Sequence, residues 1–186
     1  LNAGTAGFDL NIEDVHNNLG AKGRGITIGV VDDGWVQNDH QDISNVTQVG
    51  ATGTVGSSST SNTGLIAMTS NNSFGGIGVA PKSEIRSFDR SAWTQLSDES
   101  SVLSDTQSDI FYLGYNHDYR DGTSDESTTF TTIESLLQNN TRLFVKSAGD
   151  NFYSESTNDT CSTTTGCQNT AHDPRNAVRN FMVVGA

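Results

Sequence analysis

The sequence has little that would bind nucleic acid or lipid. Its 186 residues include 10 lysines and arginines against 22 aspartates and glutamates, which gives a formal charge of −12 and a pI of about 4.4. Basic side chains are not clustered, so a nucleic-acid partner, which needs a basic protein face, is not expected. The longest apolar run, residues 26–31, is too short to cross a bilayer. We therefore predict an acidic domain with no nucleic-acid partner and no membrane span in this segment.

Cysteine is also scarce, since the chain contains only Cys161 and Cys167, in a segment rich in serine and threonine. Close pairs in polar loops of exported proteins usually form a small disulfide loop. No histidine or third cysteine lies nearby with metal-site spacing. We predict a disulfide between the two, and the alternative is a pair of free thiols in a reducing compartment. The acidic composition and the predicted disulfide favour a secreted or extracellular protein.

Short apolar segments alternate with helix-like segments along the chain. Strands that are apolar on both faces are typical of a parallel sheet covered by helices on both sides. The alternating order implies right-handed crossovers and a doubly wound sheet. We predict one α/β domain over residues 1–186, with helices on both faces. The predicted strands are 26–31, 84–88, 109–113, 143–146 and 181–184, and the predicted helices are 11–20, 63–70, 97–105 and 128–138.

Polar residues follow three of the predicted strands. They are Asp32-Asp33-Gly34, the segment 114–122 and the segment 147–150. Ligands and catalytic groups collect at the carboxyl ends of strands in sheets of this kind. These segments are therefore candidates for a functional site, although an aspartate after a strand is more often a turn or cap residue.

The stretch 9–43 carries several motifs in a fixed order. It reads DLNIEDVHNNLGAKGRGITIGVVDDGWVQNDHQDI, with D-L-N at a helix start, G-x-G before a strand, V-V-D-D-G at the end of that strand, and H-x-D-I soon after. This stretch resembles the subtilisin-like serine proteases (subtilases), most closely their kexin/furin branch. The resemblance implies that Asp32 is the acid of a Ser-His-Asp triad, in which a buried aspartate accepts the histidine ring N–H and stabilises the imidazolium.

The run NNSFGGIGVAP, residues 71–81, resembles the calcium loop of the same family. Calcium takes six to eight oxygen ligands at about 2.3–2.6 Å, which suits a glycine-rich loop with inward carbonyls. An ordinary Gly/Asn turn before a strand is the simpler alternative, and in convertases a further ligand comes from a segment upstream of the position that Leu1 occupies here. The resemblance nevertheless makes calcium the expected cofactor. Its implied ligands are the side chains of Asp42 and Asn72 and the backbone oxygens of Ser70, Phe74 and Gly76.

Two catalytic positions of the family carry other residues in this chain. Aligning Gly64 and Ala67 with convertases places Ser58 at the triad histidine, and the run LFVKSAGD places Asp150 at the oxyanion-hole asparagine. A serine hydroxyl is not a useful general base near neutral pH, and an ionised aspartate offers an acceptor where the oxyanion needs a donor. The S-W-G-P segment that binds substrate backbone in the family corresponds to residues 113–116, which read Leu-Gly-Tyr-Asn in this chain.

Two functions are compatible with these observations. The first is a kexin-like subtilase domain that is catalytically impaired or inactive, stabilised by calcium, and able to bind a peptide or protein. The alternative is the N-terminal part of an active, secreted, calcium-dependent serine endopeptidase, cut before its nucleophilic serine, in which Asp32 orients a histidine that the alignment misplaces. A flavodoxin-like small-molecule binder fits the fold but lacks a phosphate-cradling loop. If Asp32 does orient a histidine, the candidates in this chain are His16, His40, His117 and His172.

Overall fold

A parallel sheet forms the centre of the computed structural model, which describes residues 10, 12–93, 96–115, 135–138, 141–147 and 179–184. Within these residues the sheet has six strands in the order β2-β3-β1-β4-β5-β6, and every neighbouring pair is parallel. The predicted parallel α/β architecture is therefore confirmed. The strands are β1 (Thr27–Asp32), β2 (Val46–Val49), β3 (Glu84–Asp89), β4 (Ile110–Leu113), β5 (Leu143–Ser147) and β6 (Phe181–Val184).

Helices cover both faces of this sheet. Adjacent strand residues point to opposite faces, so Val30 and Val31 of β1 belong to two separate apolar clusters. Leu103 packs in the cluster with Val31, whereas Ala67 packs in the cluster with Val30. The described part of the chain contains no helix long and apolar enough to cross a membrane. The helices are α1 (Ile12–Asn18), α2 (Ser57–Ala67) and α3 (Leu96–Leu103), and residues 135–138 are also helical.

Two elements differ from the sequence prediction. Helix α2 begins at Ser57 instead of residue 63, because the hydroxyls of Ser59 and Thr60 donate to the backbone oxygen of Gly56, and that of Ser59 also to Trp35, which supports a polar first turn. Strand β2 was missed, because its four residues carry no strong apolar signal and it forms by pairing with β3. Residues 128–134 of the last predicted helix lie outside the described residues.

The carboxyl end of β1 lies where the winding of the sheet changes direction. From β1 the chain first builds β2 and β3 on one side and then crosses to β4 on the other side. A crevice at such a switch point is the usual ligand site of an open α/β sheet. Asp32 ends β1, Asp89 is its register partner at the end of β3, and Gly114 follows β4. The fold therefore brings these three residues to one edge.

Candidate functional site

Asp32 is enclosed at the carboxyl end of β1, with 1 % of its surface exposed. Its Oδ1 accepts the backbone N–H of Asp33 at 2.7 Å, and its Oδ2 accepts the side-chain N–H of Asn62 at 2.9 Å. The hydroxyl oxygen of Ser58 lies 3.5 Å from Oδ2, longer than a normal O–H···O bond. A Cβ atom on Gly114 would overlap the carboxylate. Hence both oxygens of Asp32 have amide donors, and the backbone of Gly114 packs closely against the carboxylate.

Helix α2 carries both side chains that face Asp32. Ser58 and Asn62 are four residues apart and so lie on one face of the helix, with Asn62 Nδ2 3.3 Å from Ser58 Oγ. The sequence prediction included Ser58 but missed Asn62, because no motif marks it. The four-residue spacing from Ser58 would have found it only with a helix predicted to begin before Ser58, whereas the predicted helix begins at residue 63.

The histidines that the structure describes form their hydrogen bonds away from Asp32. His16 is buried, and its Nε2 donates to the carbonyl oxygen of Val79 at 2.8 Å. The Nδ1 of His40 accepts the backbone N–H of Asp42 at 3.2 Å. His117 and His172 lie outside the described residues.

The turn after Asp32 packs against the segment that leads into α2. Gly34 has φ +98°, a conformation that side chains rarely adopt, and a Cβ there would lie 2.5 Å from the backbone nitrogen of Gly56. The backbone N–H of Trp35 donates to the backbone oxygen of Thr54 at 2.6 Å, and the backbone N–H of Gly56 donates to the backbone oxygen of Trp35 at 2.8 Å. These contacts set the distance between Asp32 and the first turn of α2.

Asp89 is a second buried carboxylate at this edge, and it holds the same turn. It accepts the backbone N–H groups of Gly34 at 3.0 Å, Thr54 at 2.9 Å and Ser91 at 2.8 Å, together with the Ser91 hydroxyl at 2.5 Å. Burial alone would raise the pKa of Asp89, but the Ser91 hydroxyl and the three N–H groups outweigh it and lower the pKa below 3.8. Sequence reasoning missed Asp89, because its partners are distant in sequence.

Tyr112 shows how the charge of Asp32 acts on its surroundings. Its ring is half-buried on β4, beside the backbone of Gly114. Burial raises the pKa of the Tyr112 phenol, and the negative charge of Asp32 raises it further. The environment around Asp32 is therefore only partly solvated.

Asp42 occupies a second enclosed position, in the loop that resembles a calcium site. Its Oδ1 accepts the side-chain N–H of Asn72 at 2.7 Å, and its Oδ2 accepts the backbone N–H of Gly76 at 3.2 Å. The Oδ1 of Asn72 accepts the backbone N–H of Phe74 at 3.1 Å. A Cβ on Gly75 would overlap the Asp42 carboxylate, so the loop wraps closely around it.

The chemistry of this donor set fits a hard cation. The resemblance implies one carboxylate, one amide and three backbone carbonyls as ligands, and oxygen ligands of these kinds are the ones that calcium prefers. Because Asp42 accepts two N–H groups, a cation there requires the Asn72 amide to rotate and present its oxygen, and rotation of this terminal torsion is broad. The described residues contain no group of three or more His, Cys, Asp or Glu side chains that could hold a metal, so the implied site depends on backbone oxygens, among them those of Ser70 and Gly76.

The remaining predicted site residues are only partly described. Asp150, Cys161 and Cys167 lie outside the described residues. In the altered substrate segment, Leu113 is buried in the sheet and the Tyr115 hydroxyl donates to Glu99 Oε1 at 2.6 Å.

Three comparisons with known proteins bear on the family and the fold of this chain. The sequence model of the subtilase family (Peptidase S8) matches residues 23–186. No curated protein sequence gives a significant match. Among solved structures, MycP1 from Mycobacterium smegmatis is 14 % identical with a TM-score of 0.54, covering 77 % of this chain and 44 % of that chain. MycP1 with its N-terminal propeptide removed is 15 % identical with a TM-score of 0.55, covering 77 % and 49 %.

A third similar structure is the Clostridium perfringens CspB protease, which is 16 % identical with a TM-score of 0.52, covering 74 % of this chain and 39 % of that chain. The chain therefore spans less than half the length of these three structures. Because the identities are low, the likeness to these structures establishes the fold and nothing further.

Proposed function

Because the chain belongs to the subtilase family, we propose that it is a kexin-like peptidase domain that does not hydrolyse peptides and instead binds a peptide or protein. The observation that carries this proposal is the pair of α2 side chains that face Oδ2 of Asp32, since the Asn62 amide donates to it at 2.9 Å and the Ser58 hydroxyl lies 3.5 Å from it. In the family's mechanism an imidazole takes this place and moves the proton between nucleophile and leaving group.

Neither of the two α2 side chains at Asp32 can do the work of an imidazole. An amide N–H is not a proton acceptor, and the hydroxyl of Ser58 neither accepts nor holds a proton usefully near neutral pH. Asp150, at the family's oxyanion position, would add a negative charge where the transition state needs a hydrogen-bond donor. The proposal therefore combines a retained acid with a missing base and a missing oxyanion donor.

The other parts of the proposal rest on separate observations. The kexin-like character rests on the motif order in residues 9–43, and binding of peptides rests on the position of Asp32 at the carboxyl end of β1, where the winding of the sheet changes direction. A secreted location is supported by the formal charge of −12 and by the predicted disulfide between Cys161 and Cys167.

Calcium is proposed as a stabilising ligand of this domain. The side chains of Asp42 and Asn72 and the backbone oxygens of Ser70, Phe74 and Gly76 would hold it, as the resemblance implies. When bound, the ion would supply electrostatic attraction between the H-x-D segment and the loop after α2. Both segments already bond to each other through Asn72 and Gly76.

Calcium is expected to stabilise the wild-type domain but not the Asp42→Asn variant, because Asp42 is the only carboxylate among the five implied ligands. At a calcium concentration about 100 times the Kd, binding adds about 2.7 kcal/mol to the free energy of unfolding. Thermal unfolding across a calcium titration, starting from chelator, measures this difference. Asp39→Asn, an exposed change in the preceding loop, serves as the charge-matched control. Equal calcium responses in wild type and Asp42→Asn would rule this site out.

The absence of catalysis is tested by labelling the full-length native protein with a fluorophosphonate probe and measuring the intact mass of every species. We expect no adduct under conditions in which an active subtilase is fully labelled. A single adduct on a serine, lost after denaturation, would overturn the proposal. That result would support the alternative, the N-terminal part of an active calcium-dependent endopeptidase with Asp32 as the triad acid, which the buried geometry of Asp32 favours.

A further inference from the structure

We propose that Asn62 is the positioning residue that replaces the histidine at Asp32, and that its amide keeps the site closed to an imidazole. This inference rests on the proposed function, because it concerns how the inactive site is built. Its consequence is specific: restoring a histidine at position 58 does not by itself rebuild an acid–histidine pair.

The orientation of the Asn62 amide follows from its neighbours. Its Nδ2 lies 2.9 Å from a carboxylate oxygen of Asp32 and 3.3 Å from the hydroxyl of Ser58. A carboxylate only accepts hydrogen bonds, so the amide must turn its nitrogen toward Asp32. The opposite orientation would place two oxygen acceptors against each other. The hydrogen bond from Asn62 to Asp32 is therefore the favoured arrangement of these two side chains.

The helix that carries Asn62 is held rigidly beside Asp32. The Ser59 hydroxyl lies 3.0 Å from the backbone oxygens of both Trp35 and Gly56, and the Thr60 hydroxyl donates to Gly56 at 2.8 Å. After the turn, the backbone N–H of Val36 donates to the hydroxyl of Ser87, and the backbone N–H of Gln37 donates to the hydroxyl of Thr60. Asn62 therefore reaches Asp32 from a helix whose first turn is hydrogen-bonded to the neighbouring loops.

Asn62 competes with any imidazole at position 58 for the same oxygen. Both Asn62 and Ser58 face Oδ2 of Asp32, while Oδ1 is bonded to the backbone N–H of Asp33. An imidazole is larger than a hydroxyl, and the Asn62 nitrogen already lies 3.3 Å from the Ser58 oxygen. An introduced ring would have to share Oδ2 with the amide or be displaced toward solvent, on the side where Ser58 is exposed.

The test compares Ser58→His with Ser58→His/Asn62→Ala by following the resonances of the introduced imidazole through a pH titration. In the double variant a direct hydrogen bond to Asp32 is expected to place the midpoint at a pH about one unit higher than in the single variant. Adding Asp32→Asn to each background measures how much of the midpoint depends on Asp32. Equal midpoints in the two backgrounds would overturn the inference. This measurement needs no catalysis, so its failure is distinct from the appearance of a labelled serine.

A second variant, Asn62→Asp, keeps the inference testable if the histidine variants do not fold. It puts a carboxylate where the amide donates, so two carboxylates would face each other, and one would hold its proton to a higher pH than in the unfolded chain. The variant is therefore expected to approach wild-type stability at low pH and to lose stability as the pH rises. Ser61→Asp, on an exposed neighbouring position of α2, is the control. The same pH profile for both variants would contradict a contact with Asp32.

Discussion

Replacing Gly34 with alanine is expected to lower the free energy of unfolding by about 3 kcal/mol or more, because strain at an unfavourable backbone conformation adds to a steric overlap. Gly34 has φ +98°, and an added Cβ would lie 2.5 Å from Gly56 N and 2.9 Å from Thr54 O. Both contacts are with backbone atoms, so no side chain can rotate away to relieve them. Chemical denaturation monitored by tryptophan fluorescence measures the change.

Gly25→Ala is the matched control for Gly34→Ala. Gly25 also has a positive φ, +80°, but an added Cβ there would meet nothing within 4 Å. Gly25→Ala should therefore show only the conformational cost, about 1 kcal/mol. If the two variants lose the same stability, the contact between the Asp32 turn and the start of α2 is not tight, and the proposed positioning of Ser58 and Asn62 would be weakened.

The Asp89→Asn variant is expected to be destabilised by about 2–4 kcal/mol at neutral pH, because each buried donor that loses its acceptor costs about 1–3 kcal/mol. Asp89 accepts three backbone N–H groups and one hydroxyl, whereas an asparagine side chain turns an N–H group toward some of these donors. Urea denaturation measures the difference. Asp109→Asn is a suitable control, because Asp109 is exposed and its side chain accepts the backbone N–H of Thr27.

The effect of Asp89→Asn should also depend on pH. The pKa of Asp89 is lowered in the folded protein, so its carboxylate contributes stability that is present above the ordinary value of 3.8 and lost as the pH falls through the folded pKa. The stability difference between wild type and variant should therefore be constant above about pH 5 and narrow in more acidic solution. A difference that stays unchanged down to about pH 2 would show that these hydrogen bonds do not depend on the charge of Asp89.

Much of the sheet was predictable from local sequence. The predicted positions of five strands are close to the observed ones, because each is a short apolar segment with polar loops on its flanks and buried residues in the core. These strands are β1, β3, β4, β5 and β6. Strand β2 and the first turns of α2 were not predictable, because β2 has only two apolar residues and the first turns of α2 are polar. Strand β2 is stabilised by pairing with β3, and the start of α2 by hydrogen bonds to Trp35 in the loop after β1 and to Gly56.

The sequence by itself determined the parallel α/β fold, the family, and the position of Asp32 at a strand end, since these follow from apolar periodicity and from motifs of adjacent residues. Only the tertiary structure decided which side chains meet Asp32 and its turn. Asn62 lies 30 residues from Asp32, and Asp89 lies 55 residues from Gly34. Such pairs meet because parallel strands end at one edge and the packing of α2 fixes which of its faces points there. A linear motif does not encode that geometry.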